Sequence, residues 1–245
     1  VCYRCPTSVI DLAKALVPAL EAAPEAERGS VDTIAEDALY SQVRAGDLVL
    51  CRMTAPLIRA CVKLIAQRIP ARVKGRDLGK QLVQTAKEAL GRGRPFDELE
   101  SALDEYLAER TGLLMQRKNT ESRIQALCDR VDGVRACHEA FPDTQSLDAF
   151  ARSIDSIFTD GASAVELSTV HRAKGLQAER VFILEPERLP LVWKGQHAWE
   201  YTQELNLRYV ALTRAQKQLV ICGTLAPASA VPKVAALMPE SVGAA

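Results

Sequence analysis

Apolar residues recur along this chain in two periods that alternate over most of its length. Pro6 is followed by Val9, Ile10, Leu12, Ala13, Leu16 and Leu20, a spacing that predicts an amphipathic helix to about residue 23. Pro24–Gly29 reads as a turn, Ser30–Ile34 as a short strand, and Glu36–Arg44 as a helix stopped by Gly46. Asp47–Cys51 (D-L-V-L-C) is a continuous apolar run, the form taken by a strand buried on both faces. Thr54 is placed to cap the next helix, with Pro56 in its first turn. Within that helix Arg59, Lys63 and Gln67 fall four apart, one polar stripe on an apolar rod. Ala71–Lys74 predicts another strand, and a helix runs from Asp77 to Gly91.

Residues 91–96 (G-R-G-R-P-F) break this pattern. Beyond them Phe96, Leu99, Leu103 and Leu107 keep helical spacing, as do Ile124, Leu127 and Val131, and no strand signal falls between 97 and 158. Strand signals resume at Val165–Val170, Arg180–Leu184 and Gln218–Cys222, with a helix at about 200–216. Strands and helices alternate at both ends of the chain and helices alone fill the middle. The predicted fold is therefore α/β, a mostly parallel sheet flanked by helices and interrupted by an α-helical insertion.

Composition narrows the class. The chain has 245 residues, of which 48% are hydrophobic and 25% charged, the balance of a globular protein rather than a disordered tail. No apolar run approaches the ~20 residues of a membrane span, so no membrane partner is expected. The seven cysteines are odd in number and irregular in spacing, which argues for a reducing compartment. Cys2 and Cys5 form a C-x-x-C, but no second pair and no suitably placed His completes a zinc site, so no metal ligands are assigned. The chain opens Val-Cys-Tyr-Arg-Cys-Pro with no initiator Met, and the expectation is a piece of a longer protein.

The formal net charge of zero conceals a pattern. Residues 1–50 carry −4, residues 51–94 carry +9, residues 95–168 carry −8 and residues 169–245 carry +3. The basic block suits phosphate, and hence nucleic acid. The alternative is a solvated face neutralised by the acidic helices that follow it.

Two segments are unusually polar for a buried α/β unit. S-T-V-H-R-A-K-G-L-Q at 168–177 runs from a strand into a turn rich in hydroxyl, imidazole and ammonium donors, which suit phosphate oxygens. Ligands of open α/β sheets gather beyond the carboxyl ends of strands, where this turn is expected to lie. E-L-N-L-R-Y-V-A-L-T-R-A at 204–215 carries an i,i+4 pair, Glu204 and Arg208, and sets Arg214 near the end of a helix. On structural grounds alone Arg214 complements the helix dipole.

Together and in this order, the two segments closely resemble the last two signature motifs of UvrD/Rep-like superfamily 1 DNA helicases. The matching positions are Thr169, His171, Ala173, Lys174, Gly175 and Leu176, followed by Glu204, Asn206, Leu207, Tyr209, Val210, Ala211, Thr213, Arg214 and Ala215. Tyr3-Arg4-Cys5-Pro6 is similar to the segment that opens the family's second RecA-like domain. Leu50-Cys51-Arg52-Met53-Thr54-Ala55, with Ile69-Pro70 and Gly75 downstream, resembles a further family stretch. The likeness spans roughly residues 1–85 and 163–225.

The resemblance implies a RecA-like motor domain in two parts, residues 1–86 and 163–245, around an acidic α-helical insertion at 87–162. In the family, ATP lies between two RecA-like domains, and the first supplies the P-loop and the acidic residues for Mg²⁺. Arg4 and Arg214 match arginines that reach across to the γ-phosphoryl group. Tyr3 matches a tyrosine that stacks on adenine, and Gln177 stands where the family has a Glu touching the ribose. Thr169, His171, Lys174 and Arg52 align with contacts to the backbone of single-stranded DNA; Thr54 replaces the family's usual Asn at another. No G-x-x-x-x-G-K-[ST] occurs, so this stretch alone is expected not to hydrolyse ATP.

The function so implied is the C-terminal motor half of an ATP-dependent helicase translocating 3′→5′ on single-stranded DNA and unwinding duplex junctions. Its partners would be the N-terminal RecA-like domain of the same protein and repair or nuclease proteins, in the bacterial cytoplasm or nucleoid. The alternative is a non-catalytic helicase-like module, binding nucleic acid or a partner protein within a repair or nuclease assembly. RNA in place of DNA as the track is a third reading, since backbone contacts discriminate poorly between them.

Overall fold

Six strands form one sheet: Ser30–Ile34 (β1), Leu48–Cys51 (β2), Ala71–Val73 (β3), Val165–Thr169 (β4), Ala178–Leu184 (β5) and Ala215–Cys222 (β6). Their order is β1-β6-β5-β2-β4-β3, and every neighbouring pair is parallel. The computed structural model describes residues 1–117, 120–158 and 164–225.

The apolar runs explain which strands are central. In β2, Leu48 and Leu50 face one core while Val49 and Cys51 face the other. In β5, Val181 and Ile183 pack on the first face and Phe182 and Leu184 on the second. A strand covered on both sides has no polar face to alternate with, so it reads as unbroken hydrophobicity. The edge strand β1 has no buried residue and no such apolar run.

Helices Thr7–Ala13 (α1) and Ala198–Leu212 (α8) cover one face, through Val9, Ile10, Ala211 and Leu212. The opposite face carries Leu39–Gln42 (α2), Thr54–Ala66 (α3), Arg76–Leu90 (α4), Leu99–Met115 (α5), Glu121–Ala140 (α6) and Leu147–Ile157 (α7). Leu103 of α5, Val131 of α6 and Phe150 and Ile154 of α7 share one continuous core with Leu57 of α3, Leu82 of α4 and the sheet. The inserted helices therefore complete a layer over the sheet. The expected boundary at 86/87 cuts through α4, and the one at 162/163 lies outside the described residues. Among the described residues no helix is long and apolar enough to cross a membrane.

Three local expectations are corrected. The first helix stops at Ala13 rather than near residue 23: Pro18 has no N–H to donate and disfavours helical Val17, so the chain turns. It then runs beside the N-terminus, where Cys2 pairs with Ala22. Helix α8 ends at Leu212, not 216, because the Thr213 hydroxyl donates back to Tyr209 O at 2.9 Å and Ala215 already pairs with Ala178. Thr54 is the first residue of α3 and not its cap; its side chain is turned toward α6, as described below.

Helix α6 lies close enough on this core that glycine is required where it crosses. A Cβ on Gly133 would come within 2.9 Å of Leu82 Cδ2 and 3.3 Å of Thr54 Cγ2. Gly112 in α5 faces open space. Gly112→Ala is expected to raise stability by about 0.5–1 kcal/mol, the helix-propensity gain alone. At Gly133 overpacking of about 1–3 kcal/mol outweighs that gain, so Gly133→Ala lowers stability. Denaturant midpoints moving in the same direction for both variants would contradict this packing.

Candidate functional site

Two clusters form at opposite ends of the sheet. Gln177 and Arg214 immediately precede Ala178 and Ala215, the first paired residues of β5 and β6, and so stand at the strands' amino ends. Arg52, Thr169 and His171 follow β2 and β4 at the carboxyl ends. The two ends lie about 20 Å apart along a strand of this length. The turn 170–177 was expected to lie wholly at the carboxyl ends; it starts there and finishes at the other end.

At the amino ends a pocket of about 580 Å³ is lined by Tyr3, Arg4, Gln177 and Arg214, with Tyr209 and Thr213. All four residues that the resemblance linked to nucleotide thus meet in one place, from three separate stretches of chain. The N-terminal segment is held there by Cys5, whose buried Sγ donates to Thr213 O at 3.3 Å; burial pushes that thiol up to about 12. Tyr3 is 79% exposed and Arg4 is exposed beside it.

Arg214 is only 8% exposed. Its Nε donates to Val210 O at 2.9 Å, and its Nη atoms reach Leu176 O at 3.4 Å and Thr213 Oγ1 at 3.1 Å. The bond to Val210 satisfies a last-turn carbonyl of α8, so the helix-end role is real. All three acceptors are neutral, however, so the charge has no carboxylate beside it. Burial and the neighbouring Arg4 both hold the Arg214 guanidinium below its ordinary pKa. Two cations facing one pocket that has no acidic lining residue among the described residues make a place for an anion.

At the carboxyl ends a groove of about 400 Å³ is lined by Arg52, Thr54, Thr169 and His171 together with Trp193 and Trp199. Lys174 is exposed, three residues beyond His171, and is not part of the lining. Arg52 is locked in a bidentate pair with Glu204, Nε–Oε2 at 2.8 Å and Nη2–Oε1 at 2.6 Å. Glu204 Oε2 also accepts the Leu191 N–H at 3.1 Å. The i,i+4 pairing expected for Glu204 gives way to this contact, because both carboxylate oxygens are taken by Arg52.

Thr54 is 2% exposed, and its N–H and hydroxyl donate to the two oxygens of Asp129 in α6, at 2.7 and 2.8 Å. Burial pushes the Asp129 carboxyl up, and the Thr54 bonds oppose that shift. Thr54 is therefore a buried tie between the insertion and the motor loop rather than a free donor. Thr169 is 7% exposed. His171 is accessible at the groove mouth, yet desolvation and the Arg52 charge hold its imidazole below the usual value. It enters the groove as a neutral donor or acceptor near neutral pH.

The sequence pattern passed over both tryptophans. Trp199 is 57% exposed and Trp193 partly so, the only two indoles of the chain, in a loop and first helical turn carrying Pro190 and Gly195. Exposed aromatics on a loop were the available signal. Asp129 had none, being 75 residues from its partner.

The UvrD-like helicase C-terminal domain family matches residues 62–225, more than half of the chain. The ATP-dependent DNA helicase UvrD1 of Mycobacterium tuberculosis is 29% identical over 159 residues, covering 51% of this chain and 21% of that protein. The Mycobacterium leprae UvrD1 is 30% identical over 160 residues, 59% of this chain and 20% of the relative. A probable DNA helicase of Mycoplasma pneumoniae is 36% identical over 87 residues, 33% and 16% of the two chains. This chain spans about a fifth of the length of the UvrD1 relatives it matches. Its six parallel strands, their flanking helices and this match agree: the chain belongs to the UvrD-like helicase C-terminal domain family.

Proposed function

We propose that this chain is the second motor domain of an ATP-dependent DNA helicase, moving 3′→5′ along single-stranded DNA. The observation that carries the reading is the meeting of Tyr3, Arg4, Gln177 and Arg214 in one pocket at the sheet end opposite the groove. The donor set fits a nucleotide: two guanidinium groups for phosphates, an exposed ring for a base, and an amide for a hydroxyl. It does not fit Mg²⁺, since among the described residues no carboxylate lines the pocket; in this reading that ion falls to a P-loop domain outside this chain. Bound ATP supplies the free energy of hydrolysis. Arg4 and Arg214 bind the terminal phosphate across the interface and stabilise charge that develops there.

Two elements reach both sites. Turn 170–177 begins with His171 in the groove and ends with Gln177 in the pocket, and α8 lines the groove with Trp199, Glu200 and Glu204 and the pocket with Tyr209. Closure on phosphate at Arg214 would shift these rigid elements against the strand held at Arg52, Thr169 and His171. Trp199 offers a stacking surface that accepts any base, as a translocating protein needs.

Lys174 provides the test of strand binding. In Lys174→Ala, affinity for oligo(dT) should fall, and the slope of log K against log salt should become shallower by roughly 0.7, one phosphate contact on a single strand. Anisotropy titrations giving an unchanged slope would remove Lys174 from the backbone path.

A further inference from the structure

The insertion carries the chain's most acidic stretch, yet its charges are segregated. Arg94 pairs with Glu98 and Glu105, and Arg135 with Glu100, Asp104 and Asp132. A second set is left open. Lys80, Arg110, Arg117, Arg123 and Arg130 line a groove of about 1080 Å³ between α4, α5 and α6. Among the described residues Glu88 is the one acidic residue of its lining, 3.7 Å from Arg110. Among the described residues Lys80, Arg117, Arg123 and Arg130 make no ion pair. Arg130 Nε is buried without a hydrogen-bond partner, and such an atom calls for a ligand or a reason.

The groove also shares wall residues with the one that Trp193 and Trp199 line. Gln81, Ala126 and Arg130 belong to the walls of both. Its floor is amphipathic: Tyr106 lies under the Arg110 guanidinium at 5.2 Å, and Leu113 is 49% exposed. Cations contributed by all three helices, interleaved with apolar surface from Tyr106, Leu113 and Leu127, match a phosphate backbone with its sugars and bases.

We propose that this groove is a second nucleic-acid site, which holds the single strand where it leaves the motor groove and passes over the insertion. The proposal rests on the strand-binding reading above and adds a path of opposite expected charge. Acidic helices predict repulsion of DNA, whereas the groove predicts attraction along one face only.

Two oligo(dT) probes separate the sites: one of about 6 nucleotides, short enough for the motor groove alone, and one of about 20. Arg117 and Arg123 are exposed and make no ion pair among the described residues, so Arg117→Glu with Arg123→Glu leaves the fold intact. The double variant should lose on the order of tenfold in affinity for the long probe, and its salt slope should shrink by roughly 1.4. Its affinity for the short probe should not change. Lys80→Glu, on the facing helix α4, should reproduce the pattern independently. Equal losses on both probes, or none on either, would overturn the proposal while leaving the motor groove standing. Loss confined to a blunt duplex would assign the groove to duplex and overturn single-strand occupancy. If the unaltered protein binds neither probe, the strand-binding reading itself fails and the second site with it.

Discussion

Arg214→Ala in the full-length protein is expected to reduce ATP turnover by about 10³–10⁵-fold while single-strand binding persists. The effect should be large because the guanidinium is already positioned. Three neutral acceptors hold it in the pocket at 2.9, 3.1 and 3.4 Å, so little ordering remains when phosphate arrives. Removing the side chain also takes a bond from Val210 O, which water at the helix end can replace. A modest fall in stability is therefore consistent with the role, and turnover must be compared at temperatures where both proteins are folded. Arg214→Lys should recover little, since an ammonium cannot keep the fork that spans Val210, Leu176 and Thr213. Near-normal turnover in Arg214→Ala would end the finger assignment.

Glu204→Ala should be among the most destabilising single substitutions, by about 3–5 kcal/mol. The Arg52 and Glu204 side chains are 13% and 6% exposed, and their pairing is bidentate. Truncation strands the Arg52 charge in a place where water reaches poorly, and it leaves the Leu191 N–H without its acceptor. For a domain of this size the melting temperature should drop by roughly 10 °C. Replacing both partners with apolar residues, Arg52→Met with Glu204→Leu, should restore most of the loss, because no charge is then left unpaired. A drop of similar size in the double variant would mean that packing, not the ion pair, governs this position. The pair would also bear on the proposed strand binding, for Glu204 partly neutralises the Arg52 charge in the groove.

The strands were legible because burial on two faces writes itself as an unbroken apolar run, as at Leu48–Cys51 and Val181–Leu184. Helix ends were less so. Pro18 and Thr213 set them through turn chemistry that a spacing rule does not weigh. The candidate nucleotide residues were legible only as motif positions. Their meeting in one pocket depends on Cys5 reaching Thr213, 208 residues away.

Charge misled most. Much of the +9 block is neutralised by distant carboxylates: Arg52 by Glu204, Arg59 by Glu139, and Arg72 and Lys74 by Glu166. Of these only Arg59, exposed and paired with Glu139 on α6, fits a solvated face neutralised by the acidic helices; the other partners lie on β4 and α8. Three of the cations that line the helical groove, Arg117, Arg123 and Arg130, belong instead to the acidic insertion, because three-dimensional pairing and not segment totals decides which charges remain available. Thr54 likewise reads as a groove residue in sequence and is committed to Asp129 in the fold.

The central claim is that nucleotide held at Arg4 and Arg214 and strand held at the opposite groove are worked by one domain. Steady-state ATP hydrolysis by the full-length protein, with and without saturating oligo(dT), addresses it directly. Turnover that rises severalfold with the oligonucleotide, and ceases to respond when the groove residue His171 and the exposed Lys174 beyond it are both changed to Ala, is the expected result. Hydrolysis indifferent to DNA, or absent in both conditions, would contradict the assignment of this chain as a working motor domain.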